Sequence, residues 1–240
     1  MLHLMIFCRL LVFWGDSMNE FQQKVIDVLA EHSPVWIVGG AVRDIILDAE
    51  AKDLDLVTSL ESEELENILL EKGFNPRRIG AKFNTVSVFQ DDNRIDIVQA
   101  EDLRQDALKR DFTINAMYLN PFTNQIFDPL HGSDDLEQKV LKTCNNPLIT
   151  FREDPVRILR MVKFAVQYEM EIERSTWEEA KALIALLVSA PKERVTAELA
   201  EILLLAQAEK AVRLLDELNY WEVFIPELAR LKGLIQNQYH

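Results

Sequence analysis

The 240-residue sequence has only two cysteines, Cys8 and Cys144, which lie far apart along the chain. This spacing excludes a disulfide framework and a C-x-x-C zinc site, and it favours a reducing, cytoplasmic compartment. Basic residues are also scarce, because 26 Lys and Arg stand against 40 Asp and Glu, giving a net charge of −14. Since phosphate binding is mostly electrostatic, any nucleic-acid contact must be small and local or depend on a surface elsewhere.

Long hydrophobic runs are missing as well. The apolar segment at residues 2–14 (LHLMIFCRLLVFW) is shorter than the roughly 20 residues that cross a bilayer. It contains Arg9 and lacks both a basic leader and a small-residue cleavage pattern. We predict no membrane contact, a true start at Met18, and an extension over residues 1–17 that is not native. A signal or anchor segment is the alternative.

The hydrophobic fraction of 48% predicts a packed core. Alternating and apolar segments predict strands at 35–38 and 54–58, a hairpin at 85–89 and 94–98, and helices at 19–31, 42–47 and 61–72. Beyond about residue 133 helical periodicity dominates, at 153–168, 175–187, 191–206 and 208–218. The order predicts an α+β head followed by an all-helical part.

Paired acids occur in the strand segment DLDL at residues 53–56. Because side chains alternate along a strand, Asp53 and Asp55 share one face. Two such carboxylates repel unless a cation lies between them, and Mg²⁺ prefers one or two carboxylates together with substrate phosphates. A half-buried strand with its acids facing water is the alternative. Asp96, on the second hairpin strand, is either a third carboxylate of this metal site or a solvent-facing residue.

The segment VGGAVRD at residues 38–44 ends a strand and opens a helix. Gly39 and Gly40 let backbone N–H groups approach a phosphate closely, and Arg43 adds a cation. A plain tight turn would use the same glycines, so the pair alone is a weak signal. Followed by paired acids, it indicates a nucleotide-handling arrangement.

Two further segments combine charge with hydrogen-bonding groups. In KRDFTINA, Arg110 can bind phosphate, whereas Asp111 and Asn115 can bind ribose hydroxyls; a capped helix start or turn is the alternative. In the second segment, REDPVRILR, a carboxylate beside an arginine can pair with the edge of a base, or the residues form only a salt-bridged helix face. Its candidate residues are Glu153, Asp154, Arg157 and Arg160.

These segments resemble, in order, the motifs of class II CCA-adding enzymes and bacterial poly(A) polymerases: VGGAVRD, KDLDLVTS, KRDFTINAMYLNP, FDPLHGSDDLEQKVLKT, FREDPVRILRMVKFA and APKERVTAEL. The resemblance runs from about residue 34 to the end. It implies a polymerase-β-like nucleotidyltransferase head at residues 18–125 and a helical neck at 126–206. Residues 207–240 would be the start of a body domain that is cut short.

The resemblance also implies an activity. A tRNA nucleotidyltransferase would add C and/or A to the tRNA 3′ end from CTP and ATP, releasing pyrophosphate and using protein side chains as template. Asp53 and Asp55 would hold Mg²⁺, with Asp96 as a third catalytic carboxylate. Gly39, Gly40 and Arg43 would lie by the triphosphate, Arg110 and Asp111 would contact the ribose, and Asn115 would also bind nucleotide. The base-reading element would be formed by Glu153, Asp154 and Arg157, with Arg160 close by. Arg194 and Glu198 would buttress the neck.

Three departures from the family pattern qualify this expectation. Lys109 replaces an arginine and lacks its bidentate fork. The short distance along the chain from Asp96 to Lys109 is similar to that of enzymes that add only CC. The sequence also stops where relatives continue into RNA-holding helices. A poly(A) polymerase, and a nucleotide-binding fragment that needs a separate RNA-binding chain, are therefore the alternatives.

Overall fold

The computed structural model describes residues 18–49, 54–79, 85–91 and 93–233. The predicted extension of residues 1–17 and the predicted metal ligand Asp53 lie outside these ranges. The chain divides into two compact units, the first ending at Asp134 and the second beginning at Asp135. The domain boundaries derived from the sequence remain predictions.

The first unit carries one sheet and its flanking helices. Its elements are α1 (Glu20–Ala30), β1 (Val35–Val38), α2 (Gly40–Ile46), β2 (Leu54–Thr58), α3 (Ser62–Glu71), β3 (Pro76–Arg78), β4 (Thr85–Gln90), β5 (Asn93–Gln99), α4 (Leu103–Lys109), a 3₁₀ turn (Thr113–Asn115), β6 (Tyr118–Leu119), β7 (Ile126–Phe127) and the beginning of α5 (Gly132–Glu137).

The sheet has the strand order β3-β4-β5-β2-β1-β6-β7, and within it only the β2–β5 pair is parallel. One cross-strand row runs through Val86, Ile97, Leu56, Ile37 and Leu119, all of them buried. This row forms the core face, on which apolar burial stabilises the sheet. The alternate residues form the opposite face and supply the polar groups of the candidate site.

The second unit is mainly helical. After the end of α5 it contains β8 (Val140–Leu141), α6 (Pro147–Glu153), α7 (Arg157–Gln167), β9 (Glu171–Ile172), α8 (Arg174–Leu183), a 3₁₀ segment (Ile184–Ser189), α9 (Lys192–Leu203), α10 (Ala208–Glu217), α11 (Tyr220–Phe224) and α12 (Pro226–Ala229). The short strands β8 and β9 pair in parallel. The predicted α+β head and helical second part are confirmed. No helix of the described ranges is long and apolar enough to cross a bilayer.

The predicted helix over residues 153–168 is wrong at its start. The structure ends α6 at Glu153 and begins α7 at Arg157, with Asp154 extended at φ −147° and ψ 96°. Pro155 causes this break because its ring disfavours helical dihedrals in the preceding residue. The acids of REDP and Arg157 therefore belong to two helices and the link between them.

Candidate active site

Two acids lie side by side on the polar face of the sheet. Asp55 of β2 is the direct register partner of Asp96 of β5, and both are partly exposed. Leu54 and Leu56 are buried on the other face, as the strand alternation predicts. Because partners in a ladder share a face, the structure places Asp96 beside Asp55. Its role as a third carboxylate remains a prediction.

Asp96 is held by two neighbours that the sequence did not indicate. Arg94 donates from Nε and Nη2 to its two carboxylate oxygens at 2.8 and 2.7 Å. The Ser87 hydroxyl, on the register partner of Asp96 in β4, also donates to it. A bidentate arginine fixes the plane of a carboxylate as well as its position. The orientation of Asp96 is therefore set by contacts from β4 and β5.

Gly39 brings the end of β1 against this acid row. Its φ of +79° suits glycine, and a Cβ built on it would stand 3.3 Å from Asp55 Oδ2 and 3.7 Å from Arg110 Nη1. A carboxylate oxygen and a guanidinium nitrogen thus approach one point at the entrance to α2. Glycine therefore lets the end of β1 lie against both charged groups with no side chain between them.

Arg43 is engaged with the protein. It is buried, its Nε donates to Asp44 at 2.9 Å, and its Nη1 donates to the Asn115 side-chain oxygen. Gly40 makes room for it, since a Cβ there would stand 3.2 Å from Arg43 Nη2. The structure therefore directs Arg43 into the scaffold, and its contact with a triphosphate remains a prediction.

Asn115 connects Arg43 to Asp111. Its amide nitrogen donates to Asp111 Oδ1 at 3.1 Å, and the backbone N–H of Phe112 donates to the same oxygen at 2.8 Å. Asp111 and Asn115 are both buried. Buried polar groups joined in this way rigidify their surroundings, so the predicted ribose-binding residues form one fixed network.

Arg110 belongs to a second cluster, with Asp106 and Tyr118. Asp106 Oδ2 accepts from Arg110 Nε at 2.8 Å and from the Tyr118 hydroxyl at 2.7 Å. Burial is the largest influence and disfavours the charged guanidinium, but Asp106 and Tyr118 together outweigh it and raise the pKa of Arg110. Burial, followed by Asp106, also raises the pKa of the Tyr118 phenol. Neither partner was predicted from the sequence, although an acid four residues before an arginine on a helix is a recognisable signal for Asp106.

The start of α5 packs against the 3₁₀ turn. A Cβ on Gly132 would stand 2.1 Å from the Thr113 carbonyl oxygen. Asp128 fixes this approach by accepting from the backbone N–H groups of Gly132 and Ser133 at 2.8 and 2.9 Å. The turn that carries Asn115 is thus supported from behind by backbone.

The second unit contains the other candidates, and each has a protein partner. Arg194 grips Asp154 with two nitrogens at 3.1 and 2.6 Å. Arg157 lies 3.3 Å from Glu153. Arg160 lies 3.4 Å from Glu198 of α9. These ion pairs connect α9 to the Asp154 link and to α7.

The described ranges contain no cluster of three His, Cys, Asp or Glu that could hold a metal ion. Asp55 and Asp96 nevertheless offer carboxylate oxygens on one face, and Mg²⁺ requires only one or two carboxylates beside substrate phosphates. The residues present therefore fit a hard divalent cation.

Comparison with known proteins agrees with this geometry. Residues 35–100 and 91–142 match the family model described as the poly A polymerase head domain. Residues 169–232 match the model described as "Probable RNA and SrmB- binding site of polymerase A". Among curated proteins, the chain is 33% identical to the CC-adding tRNA nucleotidyltransferase of Halalkalibacterium halodurans, over 92% of this chain and 58% of that protein. It is 29% identical to poly(A) polymerase I of Haemophilus influenzae, over 89% of this chain and 53% of that protein.

Solved structures give the same result. The CCA-adding enzyme of Thermotoga maritima, complexed with tRNA, matches with a TM-score of 0.79 and 26% identity, over 90% of this chain and 55% of that one. A CCA-adding enzyme in complex with CTP matches with a TM-score of 0.75 and 27% identity, over 91% of this chain and 54% of that one. The chain spans about half the length of the relatives it matches. With its polymerase-β-like head and helical neck, it belongs to the family of CCA-adding enzymes and bacterial poly(A) polymerases.

Proposed function

We propose that this chain is a tRNA nucleotidyltransferase that adds C and/or A to the tRNA 3′ end from CTP and ATP. The observation that carries the proposal is the Asp55–Asp96 pair beside Gly39 and Arg110, in a chain of this family. The terminal hydroxyl of tRNA attacks the α-phosphorus. The bond from that phosphorus to the bridging oxygen breaks, and pyrophosphate leaves with the electron pair.

Residues of the head would bind the metal ion, the phosphates and the ribose. Enzymes of this family generally use divalent metal ions, and here Asp53 and Asp55 would hold Mg²⁺, with Asp96 beside them. When bound, Mg²⁺ lowers the pKa of the attacking hydroxyl and neutralises charge on the leaving group. Arg110, which lies beside Gly39 and Asp55, would bind phosphate oxygens. The Asp111–Asn115 network presents a rigid surface to the ribose.

Base selection belongs to the second unit in this proposal. Asp154 and Arg157 would pair with the edge of the incoming base, with Glu153 and Arg160 beside them. Arg194 supports the assignment because its two hydrogen bonds fix the Asp154 carboxylate. A fixed acceptor beside a donor can select cytosine and adenine without a nucleic-acid template.

A gel extension assay tests the proposal. The chain and Mg²⁺ are incubated with a tRNA that lacks its CCA end, and with CTP alone, ATP alone or both. Two additions from CTP and a third only with ATP establish CCA addition, whereas a stop after two establishes CC addition. Asp55→Ala, the active-site control, is expected to abolish extension.

The same gel separates the alternatives. A long ladder with ATP alone would replace the proposal with poly(A) polymerase, the activity named for one of the relatives. Binding of CTP without extension of any primer would favour a nucleotide-binding fragment.

A further inference from the structure

In the buried cluster of Asp106, Arg110 and Tyr118, the tyrosine adds contacts that an ordinary ion pair lacks. Asp106 Oδ2 accepts from both partners, at 2.8 Å from Arg110 Nε and 2.7 Å from the Tyr118 hydroxyl. Asp106 is 9% exposed, and the ring of Tyr118 lies beneath the guanidinium with its centroid 5.6 Å from Cζ. Carboxylate and ring together fix both the direction and the plane of the guanidinium.

The guanidinium held in this way lies at the entrance to α2. Asp106 binds its Nε edge, while Nη1 lies 3.7 Å from the position that a Gly39 Cβ would occupy. Asp55 Oδ2 lies 3.3 Å from that same position. A carboxylate that suits a metal and a guanidinium that suits a phosphate therefore lie against the same side of the Gly39 backbone.

We propose that Asp106, with Tyr118, is a positioning residue that aims Arg110 at the triphosphate of the incoming nucleotide. The proposal rests on the proposed function, because it deepens the role of Arg110 at that site. Asp106 touches no substrate and acts only through Arg110. A loosely held arginine would lose conformational freedom on binding, and this pre-ordering removes that cost from nucleotide affinity.

The experiment measures CTP affinity by calorimetry in the full chain with Mg²⁺. Asp106→Asn keeps the size of the side chain but removes the charge, and we expect CTP to bind about tenfold more weakly. Tyr118→Phe leaves the carboxylate–arginine contact in place, and about a threefold loss is expected. The KM for CTP should rise in parallel while the KM for tRNA stays constant, a split that a general loss of folding would not produce.

A double-mutant cycle tests whether Asp106 acts through Arg110. Arg110→Ala should weaken CTP binding more than Asp106→Asn does, and the double variant should bind no more weakly than Arg110→Ala alone. Glu209→Gln is the matched control, since Glu209 and Arg213 form an exposed pair at the same helical spacing, and it should leave CTP affinity unchanged. If Asp106→Asn is poorly folded, Asp106→Glu and Tyr118→Phe complete the cycle.

Wild-type affinity in Asp106→Asn would overturn the inference, as would losses that multiply in the double variant. If the wild-type chain binds CTP and the double-mutant cycle shows the coupling, but the wild type extends no primer, the inference stands and the proposed function fails. If extension proceeds and the coupling is absent, only the inference fails. No binding of CTP by the wild type would overturn both.

Discussion

At the scale of single residues, the contact between Gly132 and Thr113 allows a sharp prediction. Gly132→Ala would place a Cβ 2.1 Å from a backbone oxygen that cannot rotate away, so the turn or α5 must shift. We expect the free energy of unfolding to fall by about 1–3 kcal/mol, as in other overpacked positions. Chemical denaturation measures this fall.

Gly73→Ala is the matched control for this substitution. Gly73 has a φ of +84°, but a Cβ there meets nothing within 4 Å. Its cost is therefore the backbone cost alone, about 1 kcal/mol. Equal losses in the two variants would show that the Gly132 contact relaxes freely.

Asp154 provides a test of base selection. Asp154→Ala removes the proposed base acceptor, so discrimination of CTP and ATP against GTP and UTP is expected to fall about tenfold or more. Competition between labelled nucleotides in the extension assay gives the ratio. Glu178→Ala, an exposed acid of α8 in the same unit, should leave it unchanged. If Asp154→Ala keeps the original ratio, the side-chain template lies elsewhere.

Between elements, α7 and α9 are joined by buried charge. Lys163 is 7% exposed and lies 2.6 Å from Glu198 and 2.7 Å from Glu201. Lys163→Met would remove this ion pair from the Glu198 carboxylate, which is largely shielded from water. We expect a loss of about 2–4 kcal/mol in the free energy of unfolding.

The double variant Lys163→Met with Glu198→Leu should recover part of that loss, because it removes the stranded carboxylate. Glu209→Ala, which breaks the exposed pair with Arg213, should leave the free energy of unfolding almost unchanged. Comparable losses at the buried and the exposed pair would contradict this account.

Helices and strands were predicted correctly from the sequence where the hydrophobic pattern extended over enough residues. Strands β1 and β2 have the predicted bounds, and α1 begins after Asn19, whose side chain caps it. The edge strand Pro76–Arg78 and the two-residue strands were missed because so few residues show no alternation. The predicted helix start at residue 153 was wrong because helical periodicity does not show that Pro155 disfavours helical dihedrals at Asp154.

The candidate site was also predicted only in part. The pattern of residues along single strands predicted Asp55 as a site residue and indicated Asp96. Their pairing depends on the register between β2 and β5, which the sequence of one strand cannot reveal. Tyr118 reaches Asp106 from a separate element, which the sequence could not show. The pairs Asp106–Arg110 and Arg94–Asp96 are local, four and two residues apart, and were not predicted. Asp53 was predicted as a metal ligand and lies outside the described ranges.

For the molecule as a whole, the negative charge limits the proposed contact with tRNA. A net charge of −14 opposes the approach of a polyanion, so only a few phosphates can be neutralised. We expect the logarithm of tRNA affinity to fall with the logarithm of salt with a slope of about −3 or shallower. Filter binding between about 50 and 200 mM salt measures it, and a slope near about −7 would require a large basic surface.

The parallel pairing of β2 with β5 also has a consequence for biosynthesis. Between Asp55 and Asp96 the chain must complete α3, β3 and β4 before the two strands can lie side by side. Pairing of this kind requires closure of a long loop and is formed slowly. While the protein is being made on the ribosome, the nascent chain therefore cannot place Asp96 beside Asp55 until residue 99 has emerged and the crossover has closed. The third carboxylate proposed for the site thus joins it only when the fold of the head is complete.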